Sequence, residues 1–205
     1  FRRVLFRSDR VDICFIVDSS ATIRQDRWSL VTAYLTKIVK ALNIGPDNTQ
    51  VGVVTYSGSA QNNIKLQDST DEARVTKAIE ALKFIGANTL TNKGLETARR
   101  ECFSSTNGDR SDARNIAVLV SDGGDTDLNP SIAEGTLMKN QQIKLHGVGY
   151  GSISNGDALA KITGNASTVY TAKDVNELQS TVPKLLEGAC NIKLACKFNI
   201  SQALI

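Results

Sequence analysis

Residues 11–22 read Val-Asp-Ile-Cys-Phe-Ile-Val-Asp-Ser-Ser-Ala-Thr. The first seven, Val11–Val17, form a short run rich in β-branched and aromatic residues. The run stops abruptly at a polar cluster, Asp18–Thr22, as a buried strand would. A strand apolar at successive positions, rather than at alternate ones, is covered on both faces, which is the situation of a parallel sheet between two layers of helices. A second such run, Asn115–Val120, ends in the same way at Ser121-Asp-Gly-Gly124.

Working outward, the elements alternate. Residues 24–42 place Trp28, Val31, Leu35, Ile38 and Leu42 at helical spacing. Gly45-Pro-Asp-Asn48 is a turn. Gln50–Tyr56 and Asn62–Leu66 are strands joined by only Ser57-Gly-Ser-Ala60, so they form a hairpin whose second strand lies at an edge. Helices are expected over Asp71–Phe84 and Lys93–Phe103, separated by the breaker Gly86–Thr91. Ser131-Ile-Ala-Glu134 is read as a capping box opening a short helix, and Asp174-Val-Asn-Glu177 as one opening the last helix, which ends at Gly188. Ile143–Val148 and Thr168–Thr171 are strands, and Asp157–Thr163 is a helix. Pro183 falls inside the expected last helix, where it would remove a hydrogen bond and bend the axis. The fold class predicted is α/β: a doubly wound, mostly parallel central sheet with one antiparallel edge strand and helices on both faces.

The chain has 205 residues, of which 41% are hydrophobic and 22% charged, a globular balance. The longest apolar runs are four or five residues, far below the ~20 that a membrane-spanning helix needs. There are 24 basic and 21 acidic residues, and Arg2, Arg3 and Arg7 account for the whole excess. No basic face for nucleic acid or an anionic membrane is therefore expected. Residues 1–8 resemble read-through of a sequencing adapter and are set aside as a non-native lead-in. The domain is assigned to 9–190, and 191–205 to a tail or the start of a following module. The chain does not begin with Met, and it is expected to be part of a multidomain protein.

In a doubly wound sheet, sites form beyond the C-terminal ends of the strands, where strand order reverses. The residues expected there are Asp18-Ser-Ser-Ala-Thr22, Gly86-Ala-Asn-Thr-Leu-Thr91 and Ser121-Asp-Gly123. They bear oxygen, and none is His or Cys. Two carboxylates with several hydroxyls suit a hard divalent cation such as Mg²⁺, with Mn²⁺ or Ca²⁺ as alternatives. With so little protein charge around it, the ion would stay electrophilic and attract an acidic side chain from a partner. Catalysis is not expected. A serine nucleophile needs a base in reach, the single His146 lies on a different strand, and no Gly-x-Ser-x-Gly turn occurs. The glycines at 147, 149 and 151 lack the following helix of a dinucleotide site. His146 and Trp28 are read as structural. Asp125 and Asp127 are read as solvated loop acids that could tune ligand choice.

These three loops, in this order and with these elements between them, resemble the von Willebrand factor type A domain, a family that includes the integrin I domains. The resemblance runs from about Val11 to Gly188 and takes in Asn107-Gly-Asp-Arg110 and Gly147-Val-Gly149. It implies a metal-ion-dependent adhesion site in which Ser20, Thr22 and Thr89 coordinate through hydroxyls, with Asp18 and Asp122 acting directly or through water. Two positions depart from the family pattern. Thr22 replaces the usual final Ser, and Ala21 replaces a Gly, which would restrict the turn if a positive φ were required. The resemblance implies a secreted adhesion domain that binds an extracellular matrix protein such as collagen, or another protein offering an acidic residue. The alternative is an intracellular domain serving as the metal-dependent docking part of an enzyme complex.

Cys14, Cys102, Cys190 and Cys196 allow three pairings. In the family fold the elements bearing Cys14 and Cys102 pack together, so that pairing is favoured. Cys190 to Cys14, or four reduced thiols, remain open. The cysteine placement resembles that of invertebrate matrix proteins. Asn165-Ala-Ser167 and Asn199-Ile-Ser201 are glycan acceptor patterns, short enough to arise by chance.

Overall fold

A computed structural model describes residues 10–151 and 156–189. The lead-in 1–8, the tail 191–205, Cys190, Cys196 and the Asn199 tripeptide lie outside the described residues. The strands are β1 (Val11–Asp18), β2 (Thr49–Tyr56), β3 (Ala60–Ile64), β4 (Arg114–Ser121), β5 (Lys144–Tyr150) and β6 (Val169–Ala172). The helices are α1 (Trp28–Ala41), α2 (Glu72–Glu80), α3 (Thr91–Thr97), α4 (Leu128–Asn140), α5 (Gly156–Thr163) and α6 (Val182–Ala189). Among the described residues no helix is long and apolar enough to cross a membrane.

The six strands lie in the order β3-β2-β1-β4-β5-β6. Every neighbouring pair is parallel except β2 with β3, the antiparallel edge. The expected fold class is thus observed. Every residue of β1 and of β2 is buried, the polar Asp12, Asp18, Thr49, Gln50 and Thr55 included. Alternate residues of β1 feed two cores. Ile13, Phe15 and Val17 pack with Val31, Tyr34 and Leu35 of α1, Val75 and Ile79 of α2, and Leu185 and Leu186 of α6. Cys14 and Ile16 pack on the other face with Leu95 of α3, Met138 of α4 and Ile162 of α5. Trp28 is core, as expected: it is 8% exposed and its Nε1 donates to the Leu82 carbonyl at 3.0 Å.

Several boundaries differ from expectation. Pro183 is the second residue of α6, because residues Glu177–Thr181 form a separate 3₁₀ turn before it. Proline is tolerated in the first turn of an α-helix, so less than the expected interior cost arises. Asp174 does cap, accepting from the amides of Asn176 (2.8 Å) and Glu177 (3.1 Å), but it opens that turn rather than the α-helix. The box at Ser131 is not a helix start. Asp127 caps α4 four residues earlier, accepting from Asn129 N at 3.1 Å. Glu134 instead pairs with Arg99 at 2.8 Å. The helix expected over Lys93–Phe103 is α-helical only as α3 and then widens into a π turn over Ala98–Cys102.

The pole where the parallel strands begin is clamped by charge. Asp12 on β1 is wholly buried, and Arg110 reaches it through Nε (2.9 Å) and Nη2 (2.6 Å), while the Arg110 amide donates to the other carboxylate oxygen at 2.9 Å. The same guanidinium donates to the carbonyls of Pro46, Val11 and Asn48. Burial pushes the Asp12 pKa up, and Arg110 works against that rise. Cys14 and Cys102 are buried free thiols in the structure. The expected pairing is therefore not formed, although the two side chains are neighbours: burial, and then the adjacent Cys14, hold the Cys102 thiol well above its ordinary value.

Candidate metal centre

Strand order reverses between β1 and β4: the chain leaves β1 toward β2 on one side, and β4 lies on the other. Asp18 ends β1 and Ser121 ends β4, so the crevice at the C-terminal ends of these strands opens between them. One hydrogen bond spans it. Ser121 Oγ donates to Asp18 Oδ2 at 3.2 Å and also accepts from Gly123 N at 3.0 Å. Gly123 has φ +90°, which lets the chain turn sharply out of the sheet and present Asp122.

Asp18 and Ser20 are both fully buried. Ser20 N donates to Asp18 Oδ1 at 2.8 Å, and Ser20 Oγ lies 2.9 Å from Thr22 Oγ1. Thr22 itself is exposed. Asp122 is half-buried; a Cβ placed on the neighbouring Gly124 would stand 3.5 Å from Asp122 Oδ1 and 3.7 Å from Thr22 Oγ1. The first and third loops therefore meet at their tips. Ala21 carries no positive φ; that conformation falls on Arg24 (φ 65°), so the Gly-to-Ala departure leaves the turn unstrained.

Thr89 is 4% exposed on the second loop, and its carbonyl accepts from Thr126 N at 3.0 Å, next to the third loop. The second loop is also stitched to the first: Gly86 N donates to Ser19 O at 2.8 Å and Ala21 N to Ala87 O at 2.9 Å. The organiser is Ser57, which the sequence reading passed over. It is wholly buried, its Oγ accepts from Ala87 N (2.9 Å) and donates to Asn88 O (3.1 Å), and its carbonyl accepts from Leu90 N (3.0 Å). Ser121 and Ser19, expected in these loops, brace them; Ser19 Oγ donates to the Tyr56 carbonyl at 3.0 Å. Nothing in the spacing along the chain marks the bonds of these serines, whose partners lie roughly 30 to 100 residues away.

The electrostatics concentrate on Asp18. Burial pushes its pKa up to about 7, and the charge of Asp122 adds to the rise, against the hydrogen bonds from Ser20 and Ser121. Among the described residues no Lys or Arg pairs with it. A buried carboxylate without a cationic partner is costly, and a bound cation is a usual remedy. No group of three or more His, Cys, Asp and Glu side chains able to hold a metal occurs among the described residues. Any ion here would rest on the two carboxylates and the hydroxyls, an all-oxygen set that suits a hard divalent cation. Asp125 is half-buried rather than solvated: it accepts from Ser131 Oγ at 2.6 Å and Thr91 N at 3.4 Å, tying α3 to α4. Asp127 is the α4 cap.

His146 is buried, as expected of a structural residue. Its ring stacks on Tyr170 at 6.0 Å, Nδ1 lies 3.4 Å from the Tyr170 hydroxyl, and Nε2 has no partner. Burial lowers its pKa to about 4.

Comparison with known proteins places the chain. The family model for the von Willebrand factor type A domain matches residues 12–184, and the chain belongs to that family. It is 29% identical over 189 residues to the human collagen alpha-6(VI) chain, covering 92% of this chain and 8% of that protein. It is 30% identical over 125 residues to matrilin-1 of Gallus gallus, covering 60% of this chain and 25% of that one. The chain thus spans a small part of these extracellular matrix relatives. Among solved structures, proximal thread matrix protein 1 from the mussel byssus, with a zinc-occupied MIDAS motif, superposes with a TM-score of 0.82 at 26% identity, over 93% of this chain and 47% of that chain. Manganese-loaded TRAP of Plasmodium vivax shares the fold, with a TM-score of 0.69 at 19% identity over 87% of this chain and 74% of its own.

Proposed function

We propose that the chain is an extracellular adhesion or matrix domain that binds a protein partner through a divalent cation, a Glu or Asp of the partner completing the coordination. Asp18, Ser20, Thr22, Thr89 and Asp122 would hold the ion, with Mg²⁺ the first choice and Mn²⁺ or Ca²⁺ alternatives. Bound there, the dication supplies a Lewis-acidic position that favours a carboxylate over any neutral side chain. The chain's own part is to present the donors. Asp18 carries charge into the crevice, Ser121 and the Ser20 amide fix its two oxygens, and Ser57 holds the Thr89 loop against the first loop. The observation that carries the reading is the buried Asp18 at the strand-order reversal, bonded on both oxygens and lacking a cationic partner.

The matrix relatives favour collagen or another matrix protein as partner, and favour secretion over an intracellular docking role. In an oxidising compartment the neighbouring thiols of Cys14 and Cys102 would pair. The function needs no catalytic group. The test is binding to immobilised collagen and a panel of other matrix proteins in Mg²⁺ and in EDTA. Binding should be lost in chelator and in Asp122→Ala; full metal-dependent binding by Asp122→Ala would contradict the role given to that residue.

A further inference from the structure

The tripeptide Asn165-Ala166-Ser167 satisfies the acceptor pattern for an N-linked glycan, whereas Asn129-Pro130-Ser131 has the spacing but is disqualified by its central proline. The pattern alone says little; its placement says more. Asn165, Ala166 and Ser167 are all exposed, on the turn between α5 and β6. Gly164 before them has φ +67°, and a Cβ built there would meet nothing within 4 Å, so the approach is open. Asn165 Oδ1 accepts from Ser167 N at 2.9 Å and from Ser167 Oγ at 2.8 Å. A backbone N–H can only donate, which identifies the atom it meets as the oxygen. Nδ2, the atom that would carry a sugar, is engaged by no hydrogen bond among the described residues. The hydroxyl that the acceptor pattern requires already sits on the amide it must serve.

The location is compatible with the cation face. β6 runs parallel to β5, β4 and β1, and Asn165 precedes its start, while Asp18 ends β1 and Asp122 follows β4. Val169, the first residue of β6, pairs with Gly147, which stands level with Leu119 and Ile16, so β6 begins two residues before the level of Asp18 and three strands to its side, about 14 Å across the sheet. We propose that Asn165 is an N-glycosylation site whose glycan stands before the edge strand β6, three strands to the side of the β1 loop, and leaves the cation loops free for a protein partner. The proposal rests on the extracellular reading above. The donor is an oligosaccharide carried on a lipid diphosphate. Asn165 Nδ2 forms a bond to the anomeric carbon, the bond from that carbon to the phosphate oxygen breaks, and its electron pair leaves with the lipid diphosphate. The amide nitrogen gives up one proton.

The chain is produced behind a secretory leader in animal cells and the secreted protein is mapped by mass spectrometry, before and after peptide-N-glycosidase. A glycan on the peptide containing Asn165, converted to Asp on enzymatic release, is the expected result and needs no variant. Ser167→Ala and Asn165→Gln should each lose it, and Ser167→Thr should keep it. The Asn199 peptide is read separately. An unmodified Asn165 peptide in secreted protein, or a glycan mass unchanged in Asn165→Gln, overturns the assignment. Mg²⁺ affinity should change less than about twofold on deglycosylation, and a larger change overturns the claim that the two sites are independent. A glycan on Asn165 in protein that takes up no cation would sink the adhesive function and leave this site standing; cation uptake by an unmodified chain would do the reverse.

Discussion

Arg110→Ala should be among the most damaging single changes outside the cores. Arg110 is 13% exposed at its side chain and Asp12 is not exposed at all. Truncation removes both side-chain bonds to Asp12 and three to the carbonyls of Pro46, Val11 and Asn48. Asp12 keeps only the amide of residue 110. Breaking one partner out of a buried pair costs about 3–5 kcal/mol. With a urea dependence of about 2 kcal/mol per molar, the unfolding midpoint at pH 7 should fall by roughly 1.5–2.5 M. The cost should depend on pH with a definite sign. Burial already raises the Asp12 pKa above its unfolded value, and loss of Arg110 raises it further. A carboxyl with a raised folded pKa binds its proton more tightly when folded, so stability rises as pH falls through that pKa toward the unfolded value of about 3.9. The gap between variant and native protein should therefore narrow from pH 7 to about pH 4, and Asp12→Asn combined with Arg110→Ala should show little of that narrowing. Urea titrations at the two pH values give the answer. A loss below about 1 kcal/mol at pH 7, or an equal loss at both, would refute the reasoning.

Two further outcomes follow from groups in the cores. His146 has its pKa lowered to about 4 by burial, against about 6.5 when unfolded, so its contribution is complete above pH 7 and is lost as pH falls. Between pH 7 and pH 5 this amounts to about 2 kcal/mol; His146→Phe should lose that much less stability than the native protein over the same interval, and identical pH profiles would contradict the buried neutral ring. For Cys14 and Cys102, a non-reducing peptide map of secreted material should find them linked, closing a loop of nearly 90 residues that is worth about 4.6 kcal/mol. Two free thiols there would favour the intracellular docking role.

The parts of the fold legible in the sequence were those that rest on burial and on local chemistry. The run Val11–Val17, apolar but for Asp12, announced a strand covered on both faces, and the short Ser57–Ala60 link announced the antiparallel edge. Asp18, Ser20, Thr22 and Asp122 were legible because they lie at or just past strand ends. The bonds of the serines that arrange those loops were not, since a hydroxyl is informative only once its distant acceptor is known. Helix starts misled for a related reason. Ser131 and Glu134 have the spacing of a capping box, yet Asp125 and Arg99 claim their side chains. Asp127, nearer the true start, has no such signature. The 3₁₀ turn that leaves Pro183 in a first turn carries the same helical spacing as the helix it precedes.

The central claim is that three loops assemble one oxygen-lined cation site. Titration calorimetry of Mg²⁺ into the folded chain tests it most directly. The account predicts uptake of about one ion per chain, abolished by EDTA and by Asp18→Ala. No heat with Mg²⁺, Mn²⁺ or Ca²⁺, or undiminished uptake by Asp18→Ala, would contradict it.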